Sequence, residues 1–278
     1  MRKIRIVADS SANLLTLEKL PFAAAALKVI TDEREFVDDA LLDVDGMVRW
    51  FDSYKGKSKT SCPNPADWLD AFGDAEEVYC VTITSGLSGS YNSCCVARQM
   101  YETANPGRRV CVVDSLSAGP ELVLLLEKLE ELLVQGCSFE EVSEKIEEYK
   151  RNTGLVFMLE SLKNFAANGR VSPAVAKLAG FLGIRIVGIA SEKGQLQPTD
   201  KCRGVSRSLE SILAHLKTFG LSEGSVRIDH CENPIAAQRL KEMIQEAMPA
   251  ADVKISECRG LCSYYAEKGG LLVGFEKK

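Results

Sequence analysis

The chain has 278 residues, of which 46% are hydrophobic and 26% are charged. These proportions are typical of globular proteins and exclude an intrinsically disordered chain. At about 150 residues per domain, the length allows roughly two domains with cores of their own. The 34 Lys and Arg residues are scattered among 39 Asp and Glu residues, and the net charge is −5. This pattern predicts no nucleic-acid partner.

The N-terminus and the hydropathy pattern indicate where the protein resides. The apolar stretch from Ile4 to Ala8 is too short for the core of a signal peptide, and Asp9 follows it directly. No apolar run approaches the roughly 18 residues that cross a bilayer. We therefore expect a cytoplasmic protein without a transmembrane segment.

The ten cysteines do not form the pattern of a disulfide framework or of a metal site. They fall in predicted strands and helices of a chain in which we expect no export signal, and reduced thiols are the rule in such proteins. The close pairs are Cys94 with Cys95 and Cys258 with Cys262, and neither pair has a matching second half or a neighbouring histidine. We predict reduced thiols, no bound metal and no cofactor.

Two kinds of segment alternate along the chain, and the first kind predicts strands. These runs are short, rich in β-branched residues and bounded by polar residues or glycine. They cover residues 3–8, 78–84, 110–113, 154–159, 185–190, 226–230, 253–256 and 271–275. Continuous apolar runs among them are typical of strands that are covered on both faces.

The second kind of segment predicts helices. Apolar residues recur at helical spacing over 139–149 and over 209–216. Asn64 and Asn233 are each followed by a proline, the pattern of an N-cap residue before a first-turn proline. A further helix is expected over 91–100, after a loop rich in glycine and serine.

The order of these segments predicts the fold class. Strands that alternate with helices are typical of an α/β fold with mainly parallel sheets. A new series of strands begins after the acidic helix near residues 140–150. We therefore expect two α/β domains, at residues 1–152 and 153–278.

Three strands of the first predicted domain end in loops rich in hydroxyl groups, at 9–11, 84–90 and 114–119. In a parallel sheet these loops meet at the carboxyl edge, where helix N-termini offer free N–H groups to an anion. The loop at 85–90 combines two glycines, which allow close backbone approach, with serine donors. Because no basic residue follows before Arg98, a carboxylate suits this loop better than a phosphate. A serine-capped helix start without a ligand is the alternative.

A second interpretation makes Ser88 the nucleophile of a hydrolase or acyltransferase. A Gly-x-Ser-x-Gly elbow needs glycine on both sides of the serine; Gly86 fits this pattern and Ser90 does not. The base would be one of two histidines. His230 ends a predicted strand, whereas His215 lies within a predicted helix, so His230 is the candidate base.

Several motifs along the chain resemble, in order, those of the DegV family of bacterial fatty acid-binding proteins. They are Asp9-Ser10-Ser11-Ala12-Asn13-Leu14, Thr60-Ser61-Cys62-Pro63-Asn64-Pro65, Ser85-Gly86-Leu87-Ser88-Gly89-Ser90-Tyr91-Asn92-Ser93, Asp114-Ser115, Asn168-Gly169-Arg170-Val171-Ser172 and Lys201-Cys202-Arg203. The third motif is the most specific of the set. The resemblance runs along essentially the whole chain, with Cys62 where the family usually has glutamine.

The resemblance implies a two-domain protein that holds a long-chain fatty acid such as palmitate. It implies that Thr60 and Ser88 bind the carboxylate, with Ser61 and Gly89 beside them. The first domain would carry these loops, and the second would contribute the lipid tunnel. Relatives of this kind are the lipid-carrying subunit of a fatty acid kinase. The chain would therefore present its ligand to a separate kinase and would not itself be an enzyme.

The resemblance also implies contacts with that kinase. We expect Arg170 and Arg203 to be exposed and to bind the partner, with ordinary solvated arginines as the alternative. Spacing alone does not assign the tunnel wall, because apolar residues near the motifs also suit an ordinary core. The candidates for the wall are Phe165, Leu178, Phe181, Leu182 and Ile186.

Two positions depart from the family pattern. Counting back from Gly269 places Tyr265 where the family has a histidine near the ligand carboxylate, and Arg185 replaces a common Lys-Pro pair. Tyrosine donates a hydrogen bond but stays neutral at pH 7. The resemblance thus implies that Tyr265 contacts the ligand. A lipid-sensing protein without kinase coupling is a further alternative.

Overall fold

The computed structural model describes residues 2–176 and 183–277, which form thirteen strands and ten α-helices. The strands are β1 (Ile4–Asp9), β2 (Phe22–Ala25), β3 (Lys28–Thr31), β4 (Glu35–Val37), β5 (Ser58–Ser61), β6 (Glu77–Thr82), β7 (Arg109–Asp114), β8 (Thr153–Leu159), β9 (Ile184–Ala190), β10 (Leu196–Arg203), β11 (Ser225–His230), β12 (Asp252–Glu257) and β13 (Leu271–Glu276). The helices are α1 (Val44–Ser53), α2 (Pro65–Phe72), α3 (Ser90–Ala104), α4 (Pro120–Val134), α5 (Phe139–Arg151), α6 (Lys163–Ala167), α7 (Pro173–Ala176), α8 (Val205–Thr218), α9 (Pro234–Ala247) and α10 (Gly260–Ala266). The predicted α/β class is confirmed.

A four-stranded sheet with the order β2-β1-β6-β7 forms the centre of the first half, and all of its neighbouring strands are parallel. One face packs against α4 and α5 through Leu125 and Ile146, and the other packs against α2 and α3 through Trp68 and Cys94. Parallel crossovers place helices on both faces in this way. As predicted, the carboxyl ends of β1, β6 and β7 lie at one edge of the sheet.

The strand directions in the second large sheet differ from the prediction. Its order is β10-β9-β8-β13-β11-β12, and β11 with β12 is its only parallel pair among the described strands. The expectation of a mainly parallel sheet is therefore wrong for this half of the chain. Two features cause the difference. A short turn at 191–195 joins β9 to β10 as a hairpin, and β13 runs antiparallel between β8 and β11.

A small antiparallel sheet, β4-β3-β5, lies with α1 against α10. Val29 of β3 and Met47 of α1 share a core with Leu155 and Phe157 of β8. The predicted domain border after residue 152 falls between α5 and β8, and this shared core extends across it. The division into two domains stays a prediction.

The two faces of the six-stranded sheet have different surroundings. On one face, Val156 of β8 shares a core with Leu209 of α8 and Leu240 of α9. On the other face, Leu155 and Phe157 point toward the first half of the chain. Successive residues of a strand point to opposite faces, so β8 contributes to both cores in turn.

The predicted elements are largely confirmed. All eight predicted strands are present, with ends displaced by one or two residues, and the predicted helices correspond to α2, α3, α5, α8 and α9. Strands β2 to β5 and β10 were not predicted. The sequence of β10, Leu-Gln-Pro-Thr-Asp-Lys-Cys-Arg, has little apolar content and a single β-branched residue, Thr199, so it lacks the composition that marks a strand.

The two predicted N-caps differ in their contacts. Asn64 accepts hydrogen bonds from the backbone N–H groups of Ala66 (2.8 Å) and Asp67 (3.2 Å), and the Asp67 carboxylate accepts in return from Asn64 N (2.8 Å). This is a capping box. Asn233 precedes α9 as predicted, but its side chain donates to the carbonyl of Gly269 (2.7 Å) and makes no cap bond.

The cysteines, the acidic residues and the helices bear on the predictions of reduced thiols, no metal site and no transmembrane segment. All ten cysteines are free thiols. Within residues 2–176 and 183–277, no three His, Cys, Asp or Glu side chains are grouped so as to hold a metal ion. In the same two ranges, we find no helix with the length and apolar content needed to cross a bilayer.

Candidate ligand-binding site

The buried carboxylate of Asp9 joins the loops that follow β1 and β6. It accepts hydrogen bonds from Ser11 Oγ (2.5 Å), Ser90 Oγ (2.6 Å) and the backbone N–H of Ile83 (2.8 Å). Burial raises the pKa of Asp9, and these donors act in the opposite direction. Asp9 therefore fixes the start of α3 and the glycine-rich loop before it.

A cavity of about 280 Å³ lies between the first half of the chain and the six-stranded sheet. This volume is near the lower end of the roughly 300–1,000 Å³ that is usual for small-molecule sites. Its wall is mostly apolar. The larger apolar residues of the wall are Leu27, Ile83, Leu87, Leu155, Phe157, Leu159, Phe165, Leu196, Leu261 and Leu272.

The structure brings all five predicted ligand-binding residues to this cavity: the wall includes Thr60, Ser61, Ser88, Gly89 and Tyr265. Thr60 Oγ1 and Tyr265 Oη are hydrogen-bonded at 2.8 Å. Ser88 Oγ accepts from a backbone N–H at 3.3 Å, and this bond does not use the hydroxyl hydrogen of Ser88. The placement agrees with the prediction, while the ligand-binding role of each residue stays a prediction.

The loop of Thr60 and the loop of Ser88 lie side by side. A Cβ placed on Gly89 would lie 3.3 Å from the Sγ of Cys62, closer than an ordinary van der Waals contact, so the two loops lie directly against each other. The ring of Phe165 packs on Tyr265, with ring centroids 4.6 Å apart. Residues far apart in sequence therefore surround one hydroxyl-rich part of the wall.

Asn168 supports this part of the wall from behind. Its side-chain oxygen accepts from the backbone N–H of Thr60 (3.1 Å), and its Nδ2 donates to Tyr264 Oη (2.9 Å). Tyr264 Oη is also 2.7 Å from Ser58 Oγ. These bonds connect β5 to α10 and to the end of α6, and so they fix the position of Thr60 relative to α10.

Arg170 lies in the cavity wall, and it is the one charged residue there within the described part of the chain. Its Nε donates to the carbonyl of Leu87 (3.0 Å), and its guanidinium also donates to the carbonyl of Asn168. Arg170 is half-buried, so the expectation of an exposed side chain is wrong for it. It is correct for Arg203, which is exposed at the end of β10, away from the cavity wall.

Burial determines the electrostatic character of Tyr265. Loss of solvent raises the pKa of Tyr265, and the hydrogen bond with Thr60 and the charge of Arg170 lower it. The phenol is therefore neutral at physiological pH and acts as a hydrogen-bond donor or acceptor. Two hydroxyls and one guanidinium give this part of the cavity the donors that an anionic group requires.

Neither histidine lies in the described wall of the cavity. His230 is buried, and its Nδ1 is 3.4 Å from the backbone N of Asn233. Burial lowers the pKa of His230. His215 Nε2 pairs with Asp200 (2.7 Å) on the far side of β10. No contact links either histidine to Ser88, so the geometry gives no support to a Ser-His pair.

The residues predicted for the tunnel wall lie in three different places. Phe165 lies in the cavity wall. Ile186 is buried in the core that includes Phe157, but it is not part of the wall. Leu178, Phe181 and Leu182 lie outside the described residues. Arg185, the other departure from the family pattern, forms an ion pair with Glu160.

The hairpin turn between β9 and β10 also reaches the site, and sequence reasoning missed it. A Cβ placed on Gly86 would lie 2.5 Å from the carbonyl oxygen of Lys193, so the turn rests directly on the glycine-rich loop. Gly194, Gln195 and Leu196 contribute to the cavity wall. The available signal was Gly194 in a short polar stretch after a predicted strand, which is typical of a hairpin turn.

Comparisons with known proteins agree with this architecture. The family model described as "Uncharacterised protein, DegV family" matches residues 3–278. A DegV domain-containing protein of Streptococcus pneumoniae is 41% identical over 276 residues, which are 98% of each chain.

Two solved structures of similar proteins contain a lipid. A DegV family protein from Eubacterium eligens, loaded with heptadecanoic acid, is 42% identical with a TM-score of 0.97, over 99% of this chain and 100% of that one. The Fatty Acid Kinase (Fak) B3 protein of Streptococcus pneumoniae, loaded with linoleic acid, is 41% identical with a TM-score of 0.97, over the same shares. The family match and these identities over almost the whole length establish that the chain belongs to the DegV family.

Proposed function

We propose that the protein binds one long-chain fatty acid in the cavity, with the carboxylate held by Thr60 and Ser88, and presents it to a separate fatty acid kinase. The observation that carries this proposal is the composition of the cavity wall. It joins an apolar surface to a cluster of hydroxyls and the single guanidinium of Arg170. An amphipathic ligand with an anionic head and an apolar chain matches both parts.

The apolar part of the wall supplies the affinity in this proposal. Burying about 14 methylenes at about 0.8 kcal/mol each contributes on the order of 11 kcal/mol, before the cost of ordering the chain. One face of the six-stranded sheet contributes three side chains of β8 to the cavity wall, those of Leu155, Phe157 and Leu159. A wall of this kind selects for chain length and shape more than for chemical groups.

The polar part of the wall sets the orientation of the ligand. A carboxylate removed from water loses several kcal/mol unless hydrogen bonds replace its hydration. Ser88 has a hydroxyl hydrogen to donate, and so does one member of the hydrogen-bonded pair of Thr60 and Tyr265, while Arg170 adds a positive charge. Hydrogen bonds to an ionised group are about twice as strong as neutral ones, so this group of donors offsets the desolvation.

The similarity to proteins that carry bound fatty acids supports the ligand class, and the similarity to the Fak B3 protein supports a kinase partner. Tyr265 is compatible with carboxylate binding because its hydroxyl donates while the phenol stays neutral. A protein that binds lipid but has lost coupling to a kinase is the main alternative. It shares the ligand and differs only in the partner.

Native mass spectrometry of the protein purified from a bacterial host tests the ligand. We expect one adduct of roughly 250–290 Da per chain, since a long tail supplies the burial energy, and denaturing extraction should release a fatty acid. A protein that stays ligand-free when incubated with palmitate, stearate and oleate would contradict the proposal. A polar ligand displaced by none of these acids would contradict it as well.

A reconstituted reaction tests the partner. The palmitate-loaded protein is mixed with ATP and the purified fatty acid kinase of the same cell, and acyl phosphate is trapped with hydroxylamine as the hydroxamate. We expect hydroxamate only when both proteins are present. Lipid binding without hydroxamate formation would favour the lipid-sensing alternative, whereas release of p-nitrophenol from an ester by the protein alone would favour a hydrolase.

A further inference from the structure

The floor of the cavity is the face of the six-stranded sheet that points to the first half of the chain. Leu155, Phe157 and Leu159 of β8 and Leu272 of β13 contribute to this floor. Phe157 has the largest side chain among them, and its exposed fraction is 3%. The position of its ring therefore has a direct effect on the space above the sheet.

A glycine on the neighbouring strand determines where that ring lies. Phe157 and Gly188 are direct partners in the antiparallel ladder of β8 and β9, so a side chain at 188 would point to the same face. A Cβ placed on Gly188 would meet the end of the Phe157 ring and would lie 2.8 Å from its Cε2. The end of the ring thus occupies the space that the side chain of any other residue at 188 would fill.

A second contact at Gly188 involves backbone atoms. The same Cβ would lie 2.5 Å from the carbonyl oxygen of Gln197 in β10. Gly188 pairs with Pro198, the last pair before the bulge of the β9–β10 ladder, so a side chain at 188 would require both this backbone and the end of the Phe157 ring to shift. A methyl group at 188 therefore forces the Phe157 ring out of its present position, whatever shift β10 also makes.

We propose that Gly188 and Phe157 together determine which acyl chains the cavity accepts, and this inference rests on the proposed fatty acid-binding function. The glycine lets the aromatic ring lie against the sheet and leaves the space above it to the ligand. With a larger residue at 188, the Phe157 ring moves away from the sheet and reduces the length of acyl chain that the cavity can hold. The pair acts as a specificity determinant on the floor of the cavity, distant in sequence from the hydroxyl-rich loops.

The opposite face of the same sheet contains a matched pair. Gly154 of β8 and Phe275 of β13 are also direct ladder partners. A Cβ on Gly154 would lie 2.7 Å from Phe275 Cζ and 2.9 Å from Cε1. Phe275 belongs to the core under α8 and α9, and it is not part of the cavity wall. Gly154→Ala therefore disturbs a glycine–phenylalanine pair without touching the cavity.

The test is a competition among fatty acids. Wild type, Gly188→Ala and Gly154→Ala are delipidated and incubated with an equimolar mixture of laurate, myristate, palmitate and stearate, and native mass spectrometry measures the bound fractions. We expect Gly188→Ala to increase the ratio of myristate to stearate at least threefold, and Gly154→Ala to leave it unchanged. An unchanged ratio in folded Gly188→Ala, or an equal shift in Gly154→Ala, would overturn the inference.

A reciprocal pair of variants covers the case in which Gly188→Ala fails to fold. Phe157→Leu removes the ring and enlarges the floor, so the ratio of stearate to myristate should increase at least threefold, while Phe275→Leu should leave it unchanged. No shift in Phe157→Leu would also overturn the inference. The outcomes separate the two proposals: wild type without any bound acid contradicts the function itself, and bound acid with unchanged ratios contradicts only the role of Gly188.

Discussion

The two faces of the six-stranded sheet are built from the same strands but are covered by different kinds of structure. The face under α8 and α9 is filled by apolar side chains of two amphipathic helices, including Leu209, Ile212, Leu240 and Ile244, all with no exposed surface. The face toward the first half borders a cavity, and its cover consists of loops, short strands and α10. One face is filled by side-chain packing, and the other combines a packed core with a cavity.

Under the proposed function, this difference assigns stability mainly to one face of the sheet and ligand binding to the other. Regular helices pack closely, because their ridges interlock and leave few voids. Loops and a hairpin turn are less regular, and they leave space while bringing hydroxyls and a guanidinium to it. Substitutions on the filled face should therefore change the free energy of unfolding, and substitutions on the cavity face should change ligand binding.

The largest expected effect is on the free energy of unfolding, when one leucine on each face is replaced by alanine. Leu240→Ala on α9 should lower the free energy of unfolding by about 2–5 kcal/mol, because it leaves a void in a filled core. Leu159→Ala should cost less in ligand-free protein, because its side chain already borders a cavity and is not packed on every side. Urea unfolding of both variants measures the difference. Equal losses would contradict the division between the faces.

The second prediction concerns the hydroxyls of the cavity face. Ser88→Ala should weaken fatty acid binding by roughly 1–3 kcal/mol, the usual loss for a hydrogen bond to a charged group. Ser85→Ala is the matched control, because Ser85 is exposed in the same loop and is not part of the cavity wall. Displacement of a fluorescent fatty acid gives both affinities. Unchanged affinity in Ser88→Ala would remove Ser88 from the carboxylate site.

The third prediction concerns the contact that joins the cavity face to the first half. Asn13 Nδ2 donates to the buried Asp229 Oδ2 (2.6 Å), and burial raises the pKa of Asp229 to about 7. Between its ordinary pKa near 3.8 and about 7, the folded state keeps a proton that the unfolded state has released. Asp229 therefore lowers stability progressively as pH rises through this range, and the loss is complete above about 7.

Asp229→Asn removes this pH dependence and keeps an oxygen for Asn13. We expect the variant to gain stability relative to wild type as pH rises from 5 to 8, by more than about 1 kcal/mol at the upper end. Urea unfolding at several pH values measures the difference between the two proteins. A difference that is constant with pH would contradict the assignment of a raised pKa to Asp229.

The smallest expected effect on ligand affinity is that of a substitution outside the cavity. Arg203→Gln should leave the affinity for palmitate unchanged within about twofold, since exposed side chains away from a site have small effects. Arg170→Gln should weaken binding, because Arg170 lies in the wall. The same displacement assay compares them. An equal loss in both variants would show that the cavity wall does not distinguish these two arginines.

The filled face was predictable from the sequence, and most of the cavity face was not. The period of apolar residues over 209–216 marks α8, and Asn233 before Pro234 marks the start of α9. These are local signals. By contrast, β10 has no apolar alternation, and β13 reaches its place between β8 and β11 only through long-range pairing. Local patterns do not specify the order of strands in a sheet.

The candidate site was predicted in part, for the same reason. Motif resemblance located Thr60, Ser88 and Tyr265, and the structure places all three in one cavity wall. It assigned Arg170 to the surface, because a motif does not reveal that the guanidinium turns inward to the carbonyl of Leu87. The contribution of Gly194 depends on a hairpin turn that folds onto the other half of the chain.

A crystal structure of the palmitate-loaded protein tests the central claim most directly. The account predicts one acyl chain lying over Phe157, with its carboxylate oxygens within hydrogen-bond distance of Thr60 Oγ1 and Ser88 Oγ. A carboxylate that lies away from both hydroxyls, or a lipid bound outside this cavity, would contradict it.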